Sequence, residues 1–469
     1  MKTNRWKEAG MACIGVFFLF LSCSKEVNVP DVADGSTSGN LTAKVNRFIA
    51  DYVKSAYLWT SSVNWKTVDP AKEPDSFDFF RKLLHADDKW SLLTDDIQSM
   101  AGELEGISTS FGYRPLFLSR ANSNRRYAVI LFVYPGTPAA QAGIKRGDLF
   151  AAVNGSIMTE ENYRDMYYAS AVTLQRGIAV DGDVVPDPDS QPVSLTAVTM
   201  YQNPILKDTV IARGEKRIGY LSYADYTIES EKPLQEIFAG QKAQGVTEVV
   251  LDLRYNGGGF AQTSVVLSSI LAPAAAVKGR ELFHAEVWNE NYMAYFNQKK
   301  EDLNDYFIDT LSVNMDLSRL FVLTSKNTAS ASESTIIGLD PYMEVVRIGT
   351  ATHGKYCGGG LLSNSNDREI ANWGMYLMLY RYTNRDGIPP FTNGLAPDFE
   401  VKEDYLDLPP FGDGQDPLLG KALELITGQA ETVQPRSGRP STPPLVPLDT
   451  ELHGALNGKM IKTGIRMPE

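Results

Sequence analysis

The stretch VTEVVLDLRYNGGG, residues 246–259, decides the fold class because it joins an apolar run to three consecutive glycines. A short β-branched run of this kind is typical of a strand buried on both faces of a parallel sheet. Glycines carry no Cβ, so the turn after the strand can direct its backbone N–H groups at a ligand. The stretch therefore predicts a buried strand that ends in an anion-binding turn. Such turns are common, and this one does not identify a function by itself.

The segments on either side of this strand alternate between strand and helix patterns. Apolar strand patterns cover residues 217–226, 319–330 and 343–355, and apolar residues at helical spacing cover residues 231–245. This alternation predicts an α/β core with a parallel sheet. We place that core at residues 203–430.

A second buried strand ends in NTASASES, residues 327–334, where small residues precede a predicted helix. A serine at such a junction lies near a helix N-terminus, whose partial positive charge favours a developing anion. The same position suits helix capping by Ser330 or Ser332. On this stretch alone, capping is the simpler interpretation.

A third strand runs into GTATHGKY, residues 349–356, which is close to the phosphate-binding pattern G-x-x-x-x-G-K-[ST]. That pattern requires a hydroxyl residue after the lysine to ligate Mg²⁺, whereas Tyr356 follows Lys355 here. It also requires a helix whose first N–H groups hold the phosphates, and the glycines at 358–360 are a poor helix start. The sequence therefore does not support a nucleotide site, and Lys355 needs another role.

Charge and composition exclude several classes of function. The net charge is −12 over 469 residues, so nucleic acid, which proteins bind through clustered Lys and Arg, is not an expected partner. The chain contains no H-E-x-x-H motif and no Cys/His cluster, so we expect no metal and no cofactor. Cys357 stands alone beyond the N-terminal segment, so no intrachain disulfide is expected.

The first residues form a predicted targeting segment. Basic residues precede the apolar run GMACIGVFFLFL, residues 10–21, which is too short to span a bilayer and fits the core of a signal peptide. The Leu-Ser-Cys that follows resembles a bacterial lipobox, and an ordinary secretory signal with an incidental cysteine is the alternative. We predict a lipoprotein signal peptide over residues 1–22. The mature protein would be exported and anchored in the bacterial cell envelope by lipid on Cys23, on a periplasmic or surface face.

Shifts in composition divide the rest of the chain. Residues 23–40 are polar and rich in Gly and Ser, which is typical of a flexible tether. Residues 41–103 place apolar side chains at helical spacing and predict a small helical domain that packs against a neighbour. Residues 431–469 are rich in Pro and Thr and predict a tail that is at least partly disordered.

The region 104–202 is β-rich and contains YAVILFVYPGTPAAQAGIKRGDLFAAVNG, residues 127–155. Its order of strand, Pro-Gly turn, short helix, Gly-Asp turn and strand resembles the PDZ domains attached to bacterial proteases. The resemblance implies peptide binding by addition of a strand to an exposed sheet edge. It places the carboxylate-binding loop at Phe111, Gly112 and Tyr113, where the match is loose. A PDZ-like domain that acts only as a spacer is the alternative.

The three core stretches, in this order, resemble the carboxyl-terminal processing peptidases, also called tail-specific serine proteases. The resemblance extends to GLAPDFEV at residues 394–401 and covers residues 41–426. It implies a crotonase/ClpP-like α/β core and an endopeptidase that recognises protein C-termini. It assigns the nucleophile to Ser330 and the general base to Lys355.

The resemblance also implies the remaining parts of the site. The oxyanion donors would be the backbone N–H groups of Gly257 or Gly258 and of Ala331. Glu333 matches a position of the family. It either orients Lys355 or serves as an ordinary carboxylate in the first turn of a helix.

The chemistry requires Lys355 as a neutral amine. A free lysine has a pKa near ~10.4, and burial lowers it because desolvation disfavours the ammonium form. Many members of the family carry a Gln four residues after this lysine, and here that position is Gly359. Another group must therefore orient the lysine, or catalysis is impaired. His353, two residues before Lys355, is a rival base.

Three functions are compatible with this sequence. The first is an exported, lipid-anchored serine endopeptidase that forms an acyl-enzyme with protein or peptide substrates ending in apolar residues. The second is a PDZ-containing peptide-binding or scaffold protein on the same fold, with impaired catalysis. The third is a crotonase-like ligand-binding protein, which the PDZ-like region disfavours.

Overall fold

The structure is a computed structural model that describes residues 35–180, 183–429, 445–448 and 460–462. The predicted signal peptide, Cys23 and most of the predicted tether lie outside the described residues. Within them the chain is a mixed α/β protein, as predicted. No helix in these ranges has both the length and the apolar character needed to cross a bilayer.

The N-terminal region is helical, as its apolar spacing predicts. Its elements are α1 (Gly35–Ala56), 3₁₀ turns at Thr60–Ser62 and Pro70–Lys72, α2 (Ser76–Leu83), β1 (Leu92–Thr94) and α3 (Ile97–Leu104). Asp75 and Asp96 cap α2 and α3, because each carboxylate accepts a hydrogen bond from a backbone N–H of the first turn. Helix α1 begins at Gly35, inside the segment expected to be a tether.

The region 104–202 forms an antiparallel β domain with a core of its own, which includes Phe117, Ile130 and Phe150. Its elements are β2 (Ile107–Ser110), β3 (Tyr113–Ser119), β4 (Arg126–Val133), α4 (Pro138–Gln141), β5 (Leu149–Val153), β6 (Ser156–Ile157), α5 (Asp165–Tyr168), β7 (Ala171–Val180), β8 (Asp183–Pro186), β9 (Val193–Thr196) and β10 (Val198–Tyr201). The main sheet has the order β3–β4–β5–β7–β8, and β2 pairs separately with β10.

The remaining described residues form the α/β core and two short strands of the tail. The core contains β11 (Ile205–Arg213), β12 (Lys216–Tyr223), a 3₁₀ turn at Ile228–Ser230, α6 (Glu231–Ala243), β13 (Glu248–Asp252), β14 (Gly259–Phe260), α7 (Ala261–Leu271), α8 (Ala274–Lys278), β15 (Leu282–Trp288), α9 (Glu290–Lys299), β16 (Asn304–Tyr306), β17 (Arg319–Thr324), α10 (Ala331–Leu339), β18 (Glu344–Gly349), β19 (Cys357–Ser363), β20 (Gly374–Thr383), β21 (Phe399–Glu400) and α11 (Pro417–Thr427). The tail contributes β22 (Val446–Pro447) and β23 (Met460–Ile461).

One sheet of the core has the order β11–β12–β13–β17–β18–β21 and is parallel from β12 onward. Neighbouring residues of β13 face opposite sides of this sheet. Val250 packs in the cluster that contains α11, whereas Val249 and Leu251 pack in the cluster that contains α6 and α7. The predicted buried strand is thus covered on both faces, as expected for a parallel sheet between helical layers.

A second sheet has the order β14–β23–β19–β20–β15–β16, and β1 of the N-terminal region pairs with β20. Strand β14 follows the glycine turn and β19 follows Lys355, so this sheet borders the predicted site. The tail strand β23 lies between them. Seven residues of the tail are described, and they include two paired strands rather than an irregular segment alone.

Candidate active site

The predicted catalytic stretches leave the parallel sheet at one edge. The glycine turn follows β13, the serine loop follows β17 and the lysine loop follows β18, and these three strands are adjacent and parallel. Because parallel strands end at the same edge of a sheet, their loops meet there, which is where α/β proteins place ligands.

Ser330 immediately precedes α10 and has backbone angles φ 63° and ψ −113°. A non-glycine residue at positive φ is strained, and such strain concentrates at functional sites. The side chain is fully buried, and its Oγ makes no hydrogen bond within the described residues. The N–H of Glu333 faces this oxygen in a capping-box arrangement but lacks hydrogen-bond geometry. Buried hydroxyls normally have hydrogen-bond partners. The unpaired state of the Ser330 hydroxyl within the described residues therefore favours a reactive role over helix capping.

Lys355 is also fully buried. Its Nζ donates a hydrogen bond to the hydroxyl of Tyr376 at 3.2 Å and lies 5.7 Å from the ring centre of Trp90. Burial lowers the pKa of the lysine from 10.5 to about 8, because the ammonium form loses its hydration. A substantial shift toward the neutral amine is the change that a general base requires.

The carboxylate of Glu333 forms hydrogen bonds with the backbone of both Ser330 and Lys355. It accepts hydrogen bonds from the N–H of Ser330 at 2.8 Å and from the N–H of Lys355 at 2.9 Å. The hydroxyl of Thr352 and the N–H of Gly354 donate to its other oxygen, each at 2.6 Å. Burial raises the pKa of Glu333 to about 7, and these four donors oppose the shift because they favour the anion. No hydrogen bond joins this carboxylate to Nζ among the described contacts, so its role is to hold two loops together.

Tyr382 makes a second connection between the same loops. Its hydroxyl lies 2.6 Å from the carbonyl oxygen of Lys355 and 3.2 Å from that of Ser330, within donating distance of both. Both the N–H and the carbonyl sides of the serine and lysine residues are therefore anchored by shared groups.

The predicted oxyanion donors lie at the start of α10 and in the glycine turn after β13. Ala331 is the first residue of α10, where N–H groups have no partner in the helix. The N–H of Gly258 donates to the side-chain oxygen of Asn256 at 2.9 Å and is therefore engaged. No hydrogen bond of the N–H of Gly257 is found in the described part of the chain, so Gly257 is the candidate donor from this turn.

Asn256 joins the glycine turn to the serine loop. Its carbonyl oxygen accepts hydrogen bonds from the N–H of Ala329 at 3.0 Å and from the hydroxyl of Ser332 at 3.1 Å. Its side-chain amide donates to the carbonyl oxygen of Tyr223 at 3.0 Å. The turn is thus held rigidly beside Ser330, as preorganised oxyanion binding requires.

The imidazole of His353 forms hydrogen bonds with groups other than Ser330. Its Nε2 accepts a hydrogen bond from the indole N–H of Trp90 at 3.2 Å, and the imidazole also has a hydrogen bond to the backbone of Lys326. Burial, and secondly the charge of Lys355, lower its pKa. With both sides of the ring engaged, the described contacts do not support His353 as the base for Ser330.

Gly359 explains why the expected glutamine is absent. A Cβ at this position would lie 2.5 Å from the carbonyl oxygen of Leu377, 2.6 Å from the methyl of Met378 and 2.8 Å from Cζ of Tyr376. The ring of Tyr376 fills this space, and its hydroxyl contacts Lys355 instead. Sequence reasoning missed Tyr376, Tyr382 and Trp90, because no local motif connects them to the lysine.

The predicted peptide-binding residues of the β domain are mostly buried. Phe111 and Tyr113 are 2% and 5% exposed, and their rings stack with centres 5.7 Å apart in the domain core. Gly112 has φ 87°, and a Cβ there would overlap Thr137. The two aromatic side chains thus belong to the domain core, and the N–H of Gly112 donates to the hydroxyl oxygen of Ser110 at 3.2 Å.

A buried ion cluster connects the β domain to the glycine turn. Arg146, between α4 and β5, donates to the hydroxyl of Tyr255 at 2.9 Å and to Glu403 at 2.7 Å. Tyr255 begins the glycine turn and donates to the same carboxylate. Arg254 pairs with Glu403 and, through two nitrogens, with Asp416. The position of the β domain is thus coupled physically to the turn.

Comparison with known proteins agrees with this arrangement. Residues 217–401 match the family described as "Peptidase family S41", and residues 44–92 match the "Peptidase S41 N-terminal domain". The chain is 24% identical over 372 residues to the chloroplastic C-terminal processing peptidase of Tetradesmus obliquus, which covers 76% of this chain and 75% of that protein. It is 24% identical over 381 residues to the carboxy-terminal processing protease CtpA of Bacillus subtilis (strain 168), which covers 80% and 74%.

A solved structure shows the same fold over most of the chain. A Bacteroides fragilis NCTC 9343 protein assigned to the S41 proteases is 25% identical, with a TM-score of 0.69, over 86% of this chain and 99% of that one. The fold and these matches define a serine-type peptidase. Its core and its N-terminal region match peptidase family S41, and the predicted resemblance to the carboxyl-terminal processing peptidases is confirmed. The two family matches leave residues 104–202 outside, so their PDZ-like character stays a prediction.

Proposed function

We propose that this protein is a serine endopeptidase with Ser330 as nucleophile and Lys355 as general base, on a crotonase/ClpP-like core. The shared anchoring of the two residues carries the proposal. Glu333 accepts the N–H of both, and the hydroxyl of Tyr382 lies within donating distance of both carbonyl oxygens. A nucleophile and its base need such a fixed relation, because small displacements cost large factors in rate.

The reaction has two stages. Neutral Lys355 accepts the proton of the Ser330 hydroxyl while Oγ bonds to the substrate carbonyl carbon, and the N–H groups of Gly257 and Ala331 stabilise the oxyanion. The ammonium returns the proton to the leaving amine as the C–N bond breaks, which leaves an acyl-enzyme. Water then gives a proton to Lys355 while its oxygen bonds to the ester carbon. The ammonium returns that proton to Oγ of Ser330 as the bond between Oγ and the ester carbon breaks, which frees the serine and the acid product.

The shifted pKa makes this base usable near neutrality. With a pKa of about 8, about one lysine in ten is neutral at pH 7, compared with fewer than about one in a thousand for an unperturbed lysine. Burial of the amine therefore contributes on the order of a hundredfold to the population of the reactive form.

A second candidate is a catalytically impaired peptide-binding or scaffold protein on the same fold. Two observations favour it: Nζ of Lys355 donates to the hydroxyl of Tyr376, and Oγ of Ser330 makes no hydrogen bond within the described residues. Catalysis requires Nζ to direct its lone pair at Oγ when substrate is present. If the hydrogen bond to Tyr376 prevents this, only binding remains.

Substrate capture is assigned to the β domain. We infer that residues 104–202 act as a PDZ-like module that binds protein C-termini with apolar side chains, by strand addition and through the backbone of the loop at Gly112. The sequence further supports an exported enzyme with a lipid anchor at Cys23, a residue outside the described part of the chain.

The test is hydrolysis of an unfolded protein with an apolar C-terminus. We expect cleavage by the wild type, and loss of cleavage in Ser330→Ala and Lys355→Ala. Ser363→Ala is the control, because it removes an exposed hydroxyl at the end of β19 and should retain both cleavage and labelling by a fluorophosphonate. Loss in Ser330→Ala with activity retained in Lys355→Ala would shift the role of base to His353. Peptide binding without cleavage by folded wild type would favour the impaired protein.

A further inference from the structure

The tail strand β23 is built into the sheet that borders the active site. Met460 and Ile461 are 0% and 4% exposed. They pair in parallel with Gly259 and Phe260 of β14. On the other side, the N–H of Lys462 donates to the carbonyl oxygen of Gly359 at 3.0 Å. The segment therefore fills a slot between the strand that follows the glycine turn and the strand that follows the lysine.

This slot adjoins the proposed catalytic groups. The carbonyl oxygen of Met460 accepts a hydrogen bond from Tyr376, the hydroxyl that itself accepts from Nζ of Lys355. Gly259, the partner of Met460, lies two residues after the proposed oxyanion donor Gly257. The backbone of the tail is thus two hydrogen bonds from the base and on the same short segment as the oxyanion turn.

An ion pair anchors the end of the strand. Nζ of Lys462 lies 2.5 Å from Glu286, whose side chain is fully buried. The same carboxylate accepts a hydrogen bond from the indole N–H of Trp288 at 3.0 Å. A buried carboxylate is costly without a cation, so the slot has a defined chemistry: two apolar residues followed by a basic one.

A second tail segment lies on the β domain. Val446 and Pro447 pair antiparallel with Ser119 and Leu118 of β3, and the N–H of Leu448 donates to the carbonyl oxygen of Phe117 at 2.9 Å. Antiparallel pairing in this register carries the tail along β3 in the direction of Gly112. A C-terminal peptide added to the same edge would run in that direction if the loop at Gly112 received its carboxylate.

We propose that the C-terminal tail is a built-in competitor of the substrate. Residues 445–448 occupy the edge of β3, residues 460–462 occupy the slot between β14 and β19, and an extended substrate must displace them. The proposal rests on the peptidase function proposed above. It also defines a preferred class of displacing peptide, in which two apolar residues precede Lys or Arg and the basic side chain replaces Lys462 at Glu286.

The test uses the full chain with a charge reversal and its compensation. Lys462→Glu places a second carboxylate against Glu286 and should release the strand, whereas Lys462→Glu combined with Glu286→Lys restores an ion pair. We expect faster amide exchange at residues 460–462 in Lys462→Glu and an increase in kcat/KM of about tenfold, since the buried carboxylate of Glu286 loses the partly exposed cation that neutralises it. Both should return toward wild type in the double variant.

A synthetic peptide gives an independent measurement. A peptide with the sequence of residues 458–464 should inhibit the Lys462→Glu variant competitively. The same peptide with Glu in place of its second Lys, which corresponds to Lys462, should inhibit it much less. Unchanged exchange in Lys462→Glu would show that the ion pair does not hold the strand and would overturn the proposal. Faster exchange with unchanged or lower kcat/KM would also overturn it, because β23 would then be a structural strand.

The two proposals fail in different ways. If the tail does not compete, wild type and variant cleave at similar rates, and Ser330→Ala abolishes cleavage in both. If the protein is not an active peptidase, no form cleaves substrate or reacts with a fluorophosphonate, whatever the exchange at the tail.

Discussion

Replacing Lys355 by Met should stabilise the fold at pH 7 and abolish peptidase activity. The wild-type side chain is fully buried, and burial lowers its pKa from 10.5 to about 8. Between these two values the unfolded chain binds a proton that the folded chain does not. The free energy of unfolding of the wild type therefore rises with pH from about 8 toward 10.5, and the cost of the buried ammonium is fully present below pH 8.

The magnitude follows from the shift. A change from 10.5 to about 8 corresponds to about 3 kcal/mol, because one pKa unit is about 1.4 kcal/mol. Met has a similar volume and cannot titrate. It loses the hydrogen bond to Tyr376, which offsets about 1 kcal/mol of the gain. We expect a net stabilisation of about 2 kcal/mol at pH 7.

Urea unfolding at pH 7 and pH 9.5 measures this difference. The advantage of Lys355→Met over the wild type should shrink by about 2 kcal/mol between the two pH values, because the wild type then folds with a neutral lysine. Lys232→Met is the control, since the side chain of Lys232 is 85% exposed. If the wild type and Lys355→Met change in parallel over this range, burial does not neutralise the amine. The assignment of Lys355 as the base would then lose its physical ground.

Three further substitutions test the surroundings of the site. Glu333→Gln replaces a carboxylate that accepts four donors by an amide that can accept at one oxygen, so it should lower the free energy of unfolding by about 3 kcal/mol and reduce kcat more than it raises KM. Gly359→Ala places a Cβ 2.5 Å from the carbonyl oxygen of Leu377 and should cost about 1–3 kcal/mol by overpacking. Arg146→Met leaves Glu403 and Tyr255 without a partner from the β domain and should cost about 3 kcal/mol, with a loss of kcat through the glycine turn.

Urea unfolding and steady-state kinetics measure all three. Glu344→Gln, at an exposed position on β18, is the control for Glu333→Gln. A Glu333→Gln variant with normal kcat would exclude the carboxylate from positioning the dyad. Tolerance of Ala at 359 would mean that the strand can shift away from Leu377. An Arg146→Met variant that loses stability but keeps kcat would show that the contact between the β domain and the glycine turn does not affect catalysis.

Local sequence was sufficient to predict the parallel core and the three loops that contain the candidate site. A buried strand must be apolar on both faces, an oxyanion turn needs glycine, and a serine before a helix needs small neighbours, so these requirements leave patterns within short windows. These windows alone left Ser330 as a helix cap and Lys355 without a role. The resemblance of residues 41–426 to a family related the windows to one another and assigned the two side chains their predicted roles.

Tertiary structure alone decided how Ser330 and Lys355 are held. Trp90 reaches the lysine through the pairing of β1 with β20, and Tyr376 and Tyr382 lie on β20 itself, so their positions depend on sheet register between distant parts of the chain. The position of the tail likewise depends on contacts between distant parts of the chain. Met460 and Ile461 carry no local signal that they form a strand, because only the slot between β14 and β19 supplies their hydrogen bonds and buries their side chains. Register and burial arise from contacts between segments far apart in the sequence, and a pattern within one segment cannot encode them.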